Sequence, residues 1–443
     1  MKFTKDVSKG QEGFQKLPEK LILKHARVID PGQNLDDVLD IYLVNGVIER
    51  VEKIDPLNFD GEVLDLDGKL VSPGWMDMHV HLREPGREDE ETIKSGSLTA
   101  ANGGFTALCC MPDTMPAIDT QEIILYIKDR ARGSLVEVHP IGAITKKREG
   151  LELAEILDLV EQGAVAISDD TVPVMSAEIM RRALEYSRMA GIPVVAFEED
   201  TTMTSSSYMN EGYTSTCLGL EGIPSVAEEI MIARDIMLTE YSGSRLHIAH
   251  ISTRKGVELV RQAKAQGIAV TAEVTPHHIA LTEESVRSFD TNTKVRPPLR
   301  TGEDVEALLE GLRDGTIDAI ASDHSPHAWE EKASEYIYAP FGVIGLETAL
   351  GISVGELVHK KVLDIAGLIT KYAINPYRIL GLPYPAIMKG HLANLSIFDL
   401  DAEWKFDPAR SLSKSSNSPF VGRRLKGKPF AVINNRQYFR SIL

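Results

Sequence analysis

Short apolar runs alternate with amphipathic stretches over most of this chain. FTALCCMP (105–112), VEVHPIGAI (136–144), AVAISDD (164–170), PVVAFEED (193–200), RLHIAHIS (245–252), AVTAEVTP (269–276) and DAIASDHSPH (318–327) read as buried strands. Between them LELAEILDLVEQG, SAEIMRRALEYSRMAG, GVELVRQAKAQG and GEDVEALLEGLRDG carry helical spacing, and each ends in Gly, a helix stop. Strand–helix alternation sustained over this length predicts an α/β fold with a parallel sheet closed as a (β/α)8 barrel, here over residues 73–385. The two chain ends read differently. LILKHARVID, with its Pro31-Gly32 turn, and DIYLVNGVIERV, with its Asn45-Gly46 hairpin signal, predict antiparallel β structure, and a further short strand surrounds Asp67-Gly68. LANLSIFDLD and PFAVINNRQYF return to strand signals near the C-terminus. Residues 21–72 plus 386–443 are therefore expected to form one small β domain, with residues 1–20 as a leader.

Composition narrows the function. The chain has 443 residues, of which 43% are apolar and 26% charged, as in an ordinary globular protein. With 48 Lys and Arg against 65 Asp and Glu, the net charge of −17 argues against a nucleic-acid partner. Three cysteines, Cys109, Cys110 and Cys217, exclude a disulfide framework and fit a reducing cytoplasm. Met1 to Lys20 lacks the apolar core of a signal peptide, and no apolar run is long enough to cross a membrane.

In such a barrel, functional side chains stand where strands end. The first barrel strand closes on Asp77-Met78-His79-Val80-His81, and residues two apart on a strand share a face. Ala164–Ser168 leads into Asp169-Asp170, Arg245–Ala249 into His250, and Asp318–Ser322 into Asp323-His324, with His327 beyond. Four strand ends thus deliver imidazoles and carboxylates to one rim, where a shared divalent cation would offset their desolvation. The donor set suits a borderline metal such as zinc. Either Asp169 or Asp170 could serve.

GWMDMHVHLREPGREDEETIKSGSLTAANGGFTALCCMPDT resembles the opening of a class I bacterial dihydroorotase, of the amidohydrolase superfamily. So do GIPSVAEEIMIARD, RLHIAHIST, TAEVTPHH, PPLRTGEDVEALLEGLRDGTIDAIASDHSPH and APFGVIGLETALG, in order, from about residue 21 to the C-terminus. The resemblance implies a (β/α)8 barrel with a small β-sandwich. It implies a zinc-dependent cyclic amidohydrolase that interconverts dihydroorotate and N-carbamoyl-L-aspartate in pyrimidine biosynthesis. It also implies roles: His79, His81, Asp170, His250 and Asp323 as metal ligands, with Asp323 catalytic; Arg83 on the substrate carboxylate; His327, Phe341 and Gly342 as further substrate contacts.

Three positions depart from the family pattern. Phe197 stands in VVAFEED where the family has a ligand histidine. Asp113 and Arg296 stand where it has two neutral amides that contact substrate. Strand alternation turns Glu198 away from the Phe197 side, so one tightly held zinc is expected, with the second weak or absent. Asp113 and Arg296, of opposite charge, are expected to pair with each other. The departures leave alternatives open: a silent homologue that partners an aspartate carbamoyltransferase, or a hydantoinase- or allantoinase-like enzyme. A homodimer is also open.

Other features read more plainly. His277-His278 are assigned support or packing; His139 and His247 lie on apolar strands and read as core; Cys109-Cys110 read as small buried hydrophobes. Gly103-Gly104 is a turn signal. Pro326 to Pro340 reads as a loop over the barrel mouth, either a lid or plain surface.

Overall fold

The computed structural model describes residues 13–55 and 59–443. Eight parallel strands form the barrel: β1 (Trp75–Val80), β2 (Phe105–Cys110), β3 (Glu137–Pro140, continued by Gly142–Ala143), β4 (Ile167–Ser168), β5 (Val194–Ala196), β6 (Leu246–Ile248), β7 (Val270–Val274) and β8 (Ala319–Ile320). Each pairs with the next in chain order. A parallel bridge between Val80 and His324 closes the ring, with the His81 N–H donating to the His324 carbonyl at 2.9 Å. Every apolar run read as a barrel strand supplies one.

The outer helices follow their sequence signals. Ala177–Ala190 buries Met180, Ala183, Leu184 and Ser187, the three-and-four spacing of one face. Ser176 caps its first turn and Gly191, at φ 74°, ends it in the left-handed region that suits glycine. Gly315 ends Gly302–Asp314 in the same way. The helix read over 151–163 is shorter, Ile156–Glu161. Its expected first turn pairs instead with the loop after β3: the Lys146 N–H donates to the Glu152 carbonyl and the Ala154 N–H to the Ile144 carbonyl. A local backbone partner there outcompetes helix propensity.

The chain ends share one nine-stranded sheet. Leu395–Phe398 pairs antiparallel with Phe-free segment Leu70–Pro73, which joins the C-terminal strands to the N-terminal ones. The hairpin between Leu35–Val44 and Val47–Glu52 turns on Asn45 and Gly46, both at positive φ. The expectation of purely antiparallel structure needs correction. Glu62–Asp65 and Leu70–Val71 both pair parallel with Lys20–Asp30, because the chain first crosses to that strand's far side. Of the leader read over residues 1–20, residues 1–12 lie outside the described residues, and Gln15–Lys16 pairs with Gln437–Tyr438.

Trp75 ties barrel to sheet. Its ring stacks on Tyr372 (centroids 4.6 Å apart) and meets Phe398 of the sheet at 5.2 Å, while its indole N–H donates to Ser72 Oγ at 2.9 Å. Trp75→Ala is expected to lower stability by about 3–5 kcal/mol through lost burial and a residual cavity. Trp329→Ala, at an exposed position, should leave it nearly unchanged. Thermal denaturation of both variants checks the contrast.

Candidate active site

The site is built where the barrel strands end. β1 turns His79 and His81 to the same side, as their spacing predicts. Asp77, two residues earlier, accepts from the His79 N–H at 3.1 Å and from the Ser322 N–H at 3.0 Å, so it fixes the end of β1 against the end of β8. Burial pushes its carboxyl up to about 7. Asp169 and Asp170 divide their tasks. Asp169 accepts from the Ile144 and Thr145 N–H groups and braces the end of β3. Asp170 faces the barrel axis, its Oδ2 3.2 Å from His79 Nε2 and its Oδ1 3.3 Å from His250 Nε2. Asp323 Oδ1 lies 3.2 Å from His81 Nε2 and 4.0 Å from His79 Nε2.

His79, His81 and Asp170 offer ligand atoms that all lie within 4.8 Å of one another. Each imidazole is backed by a carboxylate. His79 Nδ1 is 2.8 Å from Glu273 Oε1, and His81 Nδ1 is 2.8 Å from Asp113 Oδ1. The His79 contact is a hydrogen bond and the His81 contact an ion pair, and both rings turn Nε2 toward Asp170 and Asp323, as a metal-binding histidine needs. Burial opposes the charged form of His79, yet Asp170 and Glu273 outweigh it and hold the ring well above its usual range. His81 likewise rises to about 8 against burial, through Asp113 and Asp323. Burial also works against the Asp170 carboxylate, but His79 and His250 hold it well below the usual range. Such a cluster of buried acids and imidazoles fits a divalent cation.

Three of these residues occupy the left-handed region without being glycine: Arg83 at φ 61°, His250 at φ 33° and Asp323 at φ 48°. Backbone strain of this kind gathers where side chains must be aimed.

The positions around Phe197 differ from the rest. Its ring meets the His250 ring edge-on, with centroids 5.3 Å apart. Glu198 is buried beside Asp235 and Arg234, where burial and then Asp235 raise its carboxyl well above the usual range. Glu199 accepts two hydrogen bonds from Arg296, one of them 2.8 Å long. Glu199 is thus engaged by Arg296, while both carboxylate oxygens of Glu198 are buried without a hydrogen-bond partner.

Arg83 lies in a polar nest. Its Nη1 contacts Asp113 Oδ2 at 2.5 Å, its Nη2 donates to Ser325 Oγ at 3.0 Å, and its Nε donates to the Pro326 carbonyl at 3.1 Å with Glu90 Oε2 at 3.0 Å. The expected pair of Asp113 with Arg296 does not form. Asp113 follows β2 and meets Arg83 and His81 beyond β1, whereas Arg296 follows β7 and meets Glu199 beyond β5. Each charge finds a nearer opposite. His327 Nε2 donates to the Phe341 carbonyl at 2.8 Å. The Phe341 ring lies 5.2 Å beneath the Arg296 guanidinium. Gly342 adopts φ 128°, and a Cβ there would approach Ser325 Oγ to 2.6 Å.

Several contributors were not singled out from sequence. Glu273 joins His79 to His247, whose Nε2 is 3.3 Å from Glu273 Oε2, so His247 is buried but not merely apolar filling. A glutamate inside the apolar run AVTAEVTP was the available signal. Lys294 pins the loop over 326–340 by donating to the Tyr336, Ile337 and Ala339 carbonyls. His277 and His278 are both buried; His278 Nε2 donates to the Pro297 carbonyl at 2.9 Å.

A closed parallel barrel whose strand ends gather three imidazoles and two aspartates defines a metal-dependent amidohydrolase. The chain matches the family model described as dihydro-orotase-like over residues 68–256. It is 52% identical to a dihydroorotase of Pelotomaculum thermopropionicum, covering 94% of this chain and 97% of that one. It is 48% identical to a dihydroorotase of Geotalea daltonii, covering 92% and 96%. Among solved structures, an L-hydantoinase (dihydropyrimidinase) from Arthrobacter aurescens aligns with a TM-score of 0.83 at 25% identity, covering 95% of this chain and 96% of the other. The dihydropyrimidinase from Brevibacillus agri NCHU1002 shares the fold, with a TM-score of 0.82 at 19% identity over 95% of each chain. The chain belongs to the dihydroorotase family.

Proposed function

We propose that this chain is a dihydroorotase that interconverts dihydroorotate and N-carbamoyl-L-aspartate in pyrimidine biosynthesis. The observation that carries the reading is the inward-facing set of His79, His81 and Asp170, with Asp323 alongside and Arg83 nearby. His79, His81, Asp170 and Asp323 would hold one zinc ion tightly, with His250 left as a weak remnant of a second site. When bound, the cation polarises the cyclic amide carbonyl and makes water at the site more acidic. Asp323 takes the proton of the attacking water and returns it to the departing ring nitrogen, a base in the first half and an acid in the second. The C–O bond forms in the first half and the C–N bond breaks in the second, and the product keeps both halves as a carbamoyl amino acid. Arg83 and Arg296 supply positive charge for the substrate carboxylate. His327 and the Phe341-Gly342 backbone border the same space. A cytoplasmic location fits the free thiols of Cys109, Cys110 and Cys217. A homodimer, or assembly with an aspartate carbamoyltransferase, extends the reading beyond the single chain.

A second reading draws on one observation. Asp113 already occupies Arg83 Nη1, which favours a ring without a carboxylate, as in a hydantoin. One assay separates the two. Purified protein is offered dihydroorotate, N-carbamoyl-L-aspartate and a simple hydantoin, before and after chelation and after zinc is restored. Turnover of the first two, lost on chelation and recovered with zinc, is expected. Preference for the hydantoin would select the second reading, and no turnover of any ring with zinc present would overturn both.

A further inference from the structure

We infer that Asp113 is a positioning residue of the metal centre: one buried carboxylate that orients His81 through Oδ1 and Arg83 through Oδ2. This rests on the assignment of His81 as a metal ligand. Both contacts are direct. The Arg83 guanidinium donates to Oδ2 at 2.5 Å, while Oδ1 lies 2.8 Å from His81 Nδ1 as an ion pair without hydrogen-bond alignment, and the side chain is only 5% exposed. Glu273 Oε1 stands at the same 2.8 Å from His79 Nδ1, there as a hydrogen bond. Both histidines of the β1 pair thus have a carboxylate behind them.

The carboxylate matters because it has two acceptor oxygens and no donor. Its two neighbours are both donors: the imidazole Nδ1–H and the guanidinium. A neutral amide in this place offers one oxygen only. Its NH2 would then face either His81 Nδ1–H or Arg83, donor against donor. The Asp113 side chain therefore does something here that the amide of the family pattern could not do. It fixes His81 with Nε2 free, strengthens that ring as a donor to a cation, and holds Arg83 in one orientation. Carboxylates placed behind metal-binding histidines change metal affinity by about 10–100-fold. With Phe197 in place of a ligand on the far side of Asp170, the remaining site depends on such support.

Zinc affinity, measured by competition with a chromophoric chelator, needs no turnover and tests this directly. Asp113→Asn is expected to weaken zinc binding by about 10–100-fold while circular dichroism stays native. Arg83→Met removes the other arm of the same carboxylate. It should leave zinc affinity within about threefold of the parent, a change small beside that range, and act on KM instead. Should Asp113→Asn fail to fold, Asp113→Ala serves the same measurement. Unchanged zinc affinity in the folded Asp113 variant would overturn the inference. So would an equal loss in Arg83→Met, which would mean that any break in the local charge network disturbs the site. A weakened affinity in Asp113→Asn, with a parent protein that hydrolyses nothing, would leave this inference standing and remove only the functional reading.

Discussion

Asp323→Asn is expected to cut kcat in both directions by about 10²–10⁴, the span of a lost general acid–base group. The placement of the carboxylate argues for so large an effect. Asp323 Oδ1 is 3.2 Å from His81 Nε2, close enough to share the space where a cation and a water would meet. Its backbone is held at φ 48°, a conformation an aspartate adopts at some expense in energy. The Asp77 carboxylate, bonded to the Ser322 N–H, fixes the residue immediately before it. An amide at position 323 keeps the shape and an oxygen but cannot carry the proton. KM should move little, because Arg83 and Arg296, proposed to meet the substrate carboxylate, are untouched. Zinc should stay bound, since His79, His81 and Asp170 remain. Steady-state kinetics in both directions, with metal analysis of the same samples, checks all three. More than a tenth of the parental kcat, with zinc in place, would remove Asp323 from the proton transfer.

The extent to which this was readable in advance follows from the physics of each element. The eight strands announce themselves because a strand covered on both faces must be apolar along its whole length. His79, His81, Asp170, His250 and Asp323 stand out because polar residues at the end of such runs need a reason. Glycines that stop helices were equally plain. What pairs with what across the barrel mouth was less so. Asp113 and Arg296 looked like partners by charge alone, yet their strands lie on different parts of the ring. Charge complementarity in a sequence has no address until the strand order supplies one. The parallel pairing of Glu62–Asp65 was hidden for a related reason, since alternation gives a strand but not its neighbour. Glu273, Glu90 and Lys294 were passed over because their signal is weak from outside: a single charged residue in or beside an apolar run. The left-handed backbone of Arg83, His250 and Asp323 had no signal at all, as none of them is glycine.

Phe197→His is expected to raise bound zinc from one equivalent to two and kcat by about tenfold or more, as a second Lewis acid joins the first. The wild-type side chain is buried, with its ring edge-on to His250 at 5.3 Å between centroids. His250 in turn keeps Nε2 3.3 Å from Asp170 Oδ1, so the two residues proposed for a second site already stand together. Histidine is smaller than phenylalanine and enters the same space without overpacking. It brings a polar nitrogen into a buried position beside His250, and an unsatisfied buried polar group costs about 1–3 kcal/mol. The metal-free variant should therefore melt below the metal-free parent. Zinc reverses the order, because a ligand that binds only the folded state stabilises in proportion to its affinity and concentration. The variant should gain more in thermal midpoint from added zinc than the parent does. These two opposite shifts distinguish a restored ligand from a simple packing defect, which would lower stability with and without metal. Two tight equivalents in the parent protein would show that Phe197 never limited the site. A variant that still binds one would show that His250 and Asp170 cannot complete a second site even with the imidazole returned.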